Sequence, residues 1–177
     1  MAKITLTCCH CGSEHLVCDG LTRNGKQRYH CNECGRSSRE NPAASDLELD
    51  ELWSFVLKRA NKRWVWIALC RATRQVVAYV VVDRSAATCR KLWGHIPAAY
   101  RSAHCYTDFW EAYQTVLPAE QHTAAGKETG LTAHVERWNN TLRQRLGRFV
   151  RKSLSFFKSE EMHEICLRLF LHRYNSR

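Results

Sequence analysis

Two cysteine pairs, Cys8/Cys11 and Cys31/Cys34, constrain this chain more than any other feature. Two residues between cysteines let a tight knuckle aim both sulfurs at one point, and two knuckles on facing hairpins complete a tetrahedron of thiolates. Nineteen residues separate Cys11 from Cys31, within the range of a zinc ribbon. Gly12 and Gly35 follow the second cysteine of each pair, where the knuckle needs a residue tolerant of positive φ. A segment of about 40 residues buries too little apolar surface to fold unaided, so one structural Zn²⁺ on Cys8, Cys11, Cys31 and Cys34 is expected to hold residues 1–37 together. Cys9 and His10 sit inside the first knuckle but break the two-residue spacing, and Cys18 has no partner. A disulfide framework would suit an exported chain, and no signal-like apolar run precedes Cys8. Around Asn24-Gly25, the residues Arg23, Lys26, Arg28 and Tyr29 form a basic hairpin tip able to touch a DNA backbone.

The formal net charge of +10 is concentrated at one end. The last 41 residues hold ten Lys/Arg against three acids, interleaved with aromatics and Asn. A local basic excess favours a polyanion, because Lys and Arg displace counterions condensed on phosphate. The longest apolar run, Val76–Val82, is strand-sized, so a bilayer span is not expected. Cys70, Cys89, Cys105 and Cys166 stand singly in apolar surroundings and read as reduced core residues of a cytoplasmic protein.

After a polar, Pro-containing linker (38–46), residues 47–177 form a second domain. Strand patterns cover 47–57, 63–70 and 75–82, joined by short polar connections that suit an antiparallel meander. In the first, Leu47, Leu49, Trp53, Phe55 and Leu57 share one side; the third, nearly all Val and Tyr, suits a strand covered on both faces. The period then changes. A Ser-capped helix is expected over 85–96, a strand over 103–107, a helix over 109–116 and a strand over 122–125. Long helices over 132–149 and 159–174 follow, the last aligning Met162, Ile165, Cys166, Leu169 and Phe170. The order β-β-β-α-β-α-β-α-α matches an α/β, ribonuclease-H-like fold: a mixed five-strand sheet flanked by helices, here preceded by the small zinc ribbon.

Three acids fall where an acid needs a reason. Asp50 lies inside a strand pattern, Asp108 at the end of the fourth strand, and Glu136 on the first long helix. In a ribonuclease-H-like sheet the first and fourth strands are neighbours, so Asp50 and Asp108 converge and the helix brings Glu136 over the same edge. Clustered carboxylates repel unless a cation separates them, and hard oxygen donors favour Mg²⁺ or Mn²⁺. Two such ions suit phosphodiester chemistry. Glu48 shares a strand face with Asp50, Glu51 points the other way, and Asp83 reads as a turn or helix-entry residue. Beyond Glu136, the same helix offers Asn140 and Arg143, with Asn139 as the alternate neighbour. Arg145, Arg148, Arg151 and Lys152 continue the basic run, and Lys127 and His134 are further candidates for DNA contact.

The stretches LDELWSFV (49–56), DRSAAT (83–88), YTDFWEAY (106–113), VERWNNTLR (135–143) and RKSLSFFKSEEMH (151–163), with NGKQRYHCNECGR (24–36), resemble the insertion-sequence-one family of DDE transposases. The resemblance implies a zinc finger joined to a ribonuclease-H-like domain that moves a DNA element through its inverted-repeat ends. By position, Asp50, Asp108 and Glu136 match the DDE triad. It implies two Mg²⁺ or Mn²⁺ ions, element-end and target DNA as partners, a homodimer or higher oligomer on DNA, and a nucleoid-associated location. Family members usually carry a helix-turn-helix between the two parts. The linker here is too short for one, so end recognition is expected to rest on the finger and the basic C-terminal helices, or on a partner. A nuclease without strand transfer and a non-catalytic DNA-binding regulator are the alternatives.

Overall fold

A computed structural model describes residues 7–8, 10–21, 27–39, 45–150 and 154–176. Strands β1 (Leu16–Leu21), β2 (Gln27–Cys31) and β3 (Ser37–Arg39) form an antiparallel sheet in that order. β3 overlaps the segment that composition marks as the start of the linker. The second knuckle reverses the chain, with the Cys31 N–H donating to the Arg36 carbonyl at 2.9 Å, and so delivers Ser37 and Ser38 opposite His30 and Tyr29. Three residues of backbone pairing leave no hydropathy signature, which is why the pattern does not betray this strand. Cys9, the hairpin tip with Arg23 and Lys26, and most of the linker lie outside the described residues.

The larger sheet contains β4 (Leu47–Phe55), β5 (Lys62–Cys70), β6 (Val76–Val82), β7 (Cys105–Thr107) and β8 (His122–Ala124) in the order β6-β5-β4-β7-β8. β4, β5 and β6 form the expected antiparallel meander, while β7 joins β4 and β8 joins β7 in parallel. Helices α1 (Ala86–His95) and α2 (Glu111–Val116) cover one face, where Leu47, Leu49, Trp66, Ala78, Leu92 and Tyr113 pack. Helices α3 (Ala133–Arg145) and α4 (Glu160–Asn175) cover the other, over Leu52, Ile67, Val135, Trp138, Phe157 and Leu167. This is the mixed five-strand, ribonuclease-H-like α/β arrangement.

Three details depart from the periodicity. β6 is covered on both faces but lies at the sheet's edge; the Asn175 side chain bonds both the N–H and C=O of Val76, as a neighbouring strand would. The helix expected over 132–149 ends at Arg145. Leu146 is extended and Gly147–Phe149 forms a 3₁₀ turn, which seats Phe149 against Phe157 and His163, each with centroids 5.0 Å away. α4 is rotated relative to its expected stripe: His163, Leu167, Phe170 and Leu171 face the core, and Met162, Ile165 and Leu169 do not.

Candidate functional site

The thiols of Cys8, Cys11, Cys31 and Cys34 all lie within 4.8 Å of one another. The Cys8–Cys34 and Cys11–Cys31 sulfurs are 3.6 Å apart, close to the edge of about 3.8 Å that a tetrahedron of 2.3 Å Zn–S bonds requires. Each knuckle closes the same way, Gly12 N–H to the Cys8 carbonyl at 2.8 Å and Gly35 N–H to the Cys31 carbonyl at 2.9 Å. Both glycines have positive φ, 76° and 66°. Backbone N–H groups of Cys34 and Glu33 hold the Cys31 thiol down to about 6, whereas burial and the neighbouring sulfurs push the Cys11 and Cys34 thiols up. This donor set could hold one zinc ion.

A second cluster gathers at the C-terminal end of β7. There one carboxylate oxygen each from Asp50, Glu51 and Asp108 lies within 4.8 Å of the others. The parallel register of β4 and β7, Leu47 opposite Cys105 and Glu48 opposite Tyr106, sets Asp50 level with Asp108. Both are anchored by backbone: the Glu51 N–H donates to Asp50 Oδ1 at 2.8 Å, and the Trp110 N–H to Asp108 Oδ1 at 3.0 Å. On the other oxygen, Asn139 of α3 donates to Asp50 Oδ2 at 2.6 Å. Burial, followed by the negative charges of Glu51, Asp108 and Glu136, pushes Asp50 up to about 7. A divalent cation would relieve that repulsion, and this acid cluster could bind one.

Glu136 stands outside the close trio. It accepts a 3.2 Å hydrogen bond from Thr132 Oγ1, and its charge helps raise both Asp50 and Glu48. Of the three acids singled out in the sequence, the fold brings two into contact range and sets the third on the helix above them.

The two glutamates of β4 have other partners. Glu48 is fully buried; its Oε2 accepts the N–H groups of His134 and Val135 at 2.9 Å each, and Arg71 Nε lies 3.1 Å from Oε1. It thus caps the N-terminus of α3, where Thr132 makes no side-chain cap, and fixes the helix that carries Glu136 and Asn139. Glu51 accepts from Tyr113 Oη and Arg84 Nε at 2.8 Å each, and the Arg84 guanidinium lies between the Trp64 and Trp110 rings, 4.7 and 3.9 Å from their centroids. Burial raises both glutamates. Asp83 accepts from Ser85 and Thr88 at the start of α1, the helix-entry role its position suggests.

The basic candidates are more scattered. Lys127 is exposed in a 3₁₀ turn just after β8. On α3, Asn140 and Arg145 are exposed and Arg143 is half-buried, so Asn139, not Asn140, meets the acids. His134 Nε2 lies 4.0 Å from Glu48. Exposed Arg148 places its guanidinium 5.9 Å from the Phe157 centroid, and exposed Arg28 pairs with Asp19 at 2.9 Å. Arg151 and Lys152 lie outside the described residues. Sequence reasoning missed Glu48, Glu51, Arg84 and Tyr113 as supports of the acids; only the oddity of two more acids in a strand signalled them.

Residues 45–175 match the family model described as IS1 transposase. Among curated proteins, insertion element iso-IS1n protein InsB of Shigella dysenteriae is 35% identical over 127 residues, covering 72% of this chain and 94% of that protein. Insertion element IS1 protein InsB of Shigella flexneri is 38% identical over 117 residues, covering 66% and 86% respectively. Insertion element IS1 4 protein InsB of Escherichia coli (strain K12) is 36% identical over 117 residues, covering 66% and 68%. With its mixed sheet, its acid cluster and a family match running from the start of β4 to the end of α4, this chain belongs to the IS1 transposase family.

Proposed function

We propose that the protein is a metal-dependent DNA strand transferase that cuts at the inverted-repeat ends of its element and joins the freed 3′-hydroxyl to target DNA. The observation that carries this reading is the meeting of Asp50 and Asp108 at the C-terminal end of β7, where among the described residues neither takes part in an ion pair. Asp50, Asp108 and Glu136 would hold two Mg²⁺ or Mn²⁺ ions. Bound there, the ions supply the positive charge that favours attack on a phosphodiester and departure of its leaving oxygen. The first reaction is hydrolysis at the element end, leaving a 3′-hydroxyl; in the second, that hydroxyl displaces a target 3′-oxygen in a phosphodiester exchange. Asn139 orients Asp50, and Glu48 holds α3 so that Glu136 stays above the pair.

Lys127, Asn140, Arg143, Arg145, Arg148, Arg151 and Lys152 contact DNA phosphates around the acid cluster, and Arg28 does so from the finger. Residues 1–37, with β3 extending the unit to Arg39, form the zinc-bound finger, and residues 47–177 form the catalytic domain. The protein works in the cytoplasm on nucleoid DNA, as an oligomer that holds both ends. The test is incubation with element-end DNA and Mg²⁺. Wild type should yield nicked and joined products, and should join a supplied pre-cut end. Asp50→Asn, Asp108→Asn and Glu136→Gln should each lose about a thousandfold or more in cleavage while still shifting end DNA. Cleavage that survives Glu136→Gln would falsify the triad.

A further inference from the structure

α4 presents two opposite faces. His163, Leu167, Phe170 and Leu171 pack into the core, while Met162, Ile165 and Leu169 are 42%, 40% and 65% exposed. These three recur at i, i+3 and i+7, so they form one apolar stripe two turns long on the solvent side. Half-buried Cys166 extends the stripe toward a cavity of about 410 Å³ that Leu146 and Tyr174 also line. Scattered single exposed side chains are normal, but three in register on a helix are a seam awaiting a partner.

Charge on the same helix identifies that partner. Beside the stripe, on one flank, lie exposed Glu161 near the N-terminal end and exposed Arg168 and His172 toward the C-terminal end. In an antiparallel pair of identical helices each flank meets its own counterpart reversed end for end, so Glu161 faces Arg168 and His172 of the second copy, and the reverse pair forms by symmetry. A two-fold axis between Ile165 and Cys166 sets Met162 opposite Leu169 of the other copy.

We infer that α4 is the seam of a symmetric homodimer in which two copies pack antiparallel through Met162, Ile165 and Leu169. The stripe shares no residue with the acid cluster. Its use in holding two DNA ends rests on the transposase reading; the dimer itself does not, and its test contains no DNA.

The zinc-loaded full chain should sediment as a concentration-dependent dimer. Leu169→Glu buries two carboxylates in the seam and should weaken association more than about a hundredfold, with helix content and melting profile kept. Glu161→Arg turns two attractions into repulsions and should cost about tenfold at low salt. Combining it with Arg168→Glu restores the pairing, and the double variant should regain wild-type affinity. A monomer at all concentrations, a dimer indifferent to Leu169→Glu, or a double variant no tighter than Glu161→Arg overturns the proposal. So does a stripe that binds only another protein.

Discussion

The thiol cluster and the acid cluster are both groups of metal-ligating side chains, built by opposite routes. Each pair of thiols comes from a knuckle closed within a few residues, and the small sheet β1–β3 hangs on their junction. The acids come from separate elements of a sheet that already has two apolar cores, one on each face. Four soft donors at tetrahedral spacing leave no ligand position open, which suits a structural ion. Three hard carboxylate donors leave coordination positions of a divalent ion unfilled, which leaves room for solvent and substrate. The thiol site is closed locally by its own knuckles, whereas the acid site is assembled by the sheet, where burial and neighbouring charges raise Asp50.

That contrast has measurable edges. The largest effect should come from stripping zinc or changing Cys31 and Cys34 to Ser: binding is worth about 10 kcal/mol or more in small zinc modules. Amide exchange should then show β1–β3 lost while the sheet of β4–β8 stays protected, and a ribbon that keeps its protection without metal breaks the comparison. In the larger domain, Glu48→Ala should cost about 3–5 kcal/mol in denaturant unfolding, since it strands Arg71 and two N–H groups of α3.

An acid-dependent loss should follow in the same domain. His163 is buried between Phe149 and Phe157, accepts from or donates to Ser54 at 2.5 Å, and is held down to about 4 by burial, with the Arg63 charge adding to it. The unfolded chain therefore takes up the proton first, so stability falls as pH drops from about 6.5 toward 4, by up to about 3 kcal/mol. The double change Ser54→Ala/His163→Phe should flatten that slope in pH-dependent melts. The smallest effect has the opposite sign. Asp50→Asn should raise the melting temperature of the metal-free domain by about 2–4 °C, because it removes a charge that burial and its neighbours oppose. A fall in melting temperature would mean that the carboxylate stabilises the fold.

The order and type of the main elements were legible in the sequence because burying one face imposes a period of 2 on strands and near 3.6 on helices. Asp50 and Asp108 stood out because an acid in or beside a strand conflicts with that period. The phase of a helix is harder to read. Asn139 and Asn140 differ by one position, and only packing against β4 turns Asn139 toward Asp50. Likewise the pattern of α4 pointed to a stripe through Met162, Ile165 and Leu169, and the core took the one through Leu167 and Leu171. Glu48 and Glu51 read as competitors for the site, but their partners lie on α3, α2 and the segment after β6, far along the chain.

By itself the sequence determined the thiol site, the meander and the basic excess of the last 41 residues, since spacing, alternation and composition act over a few residues. Only the tertiary structure decided which acids meet, which asparagine reaches them and which face of α4 remains bare. Those outcomes depend on how one apolar surface fits another across the sheet, and no local pattern encodes that fit.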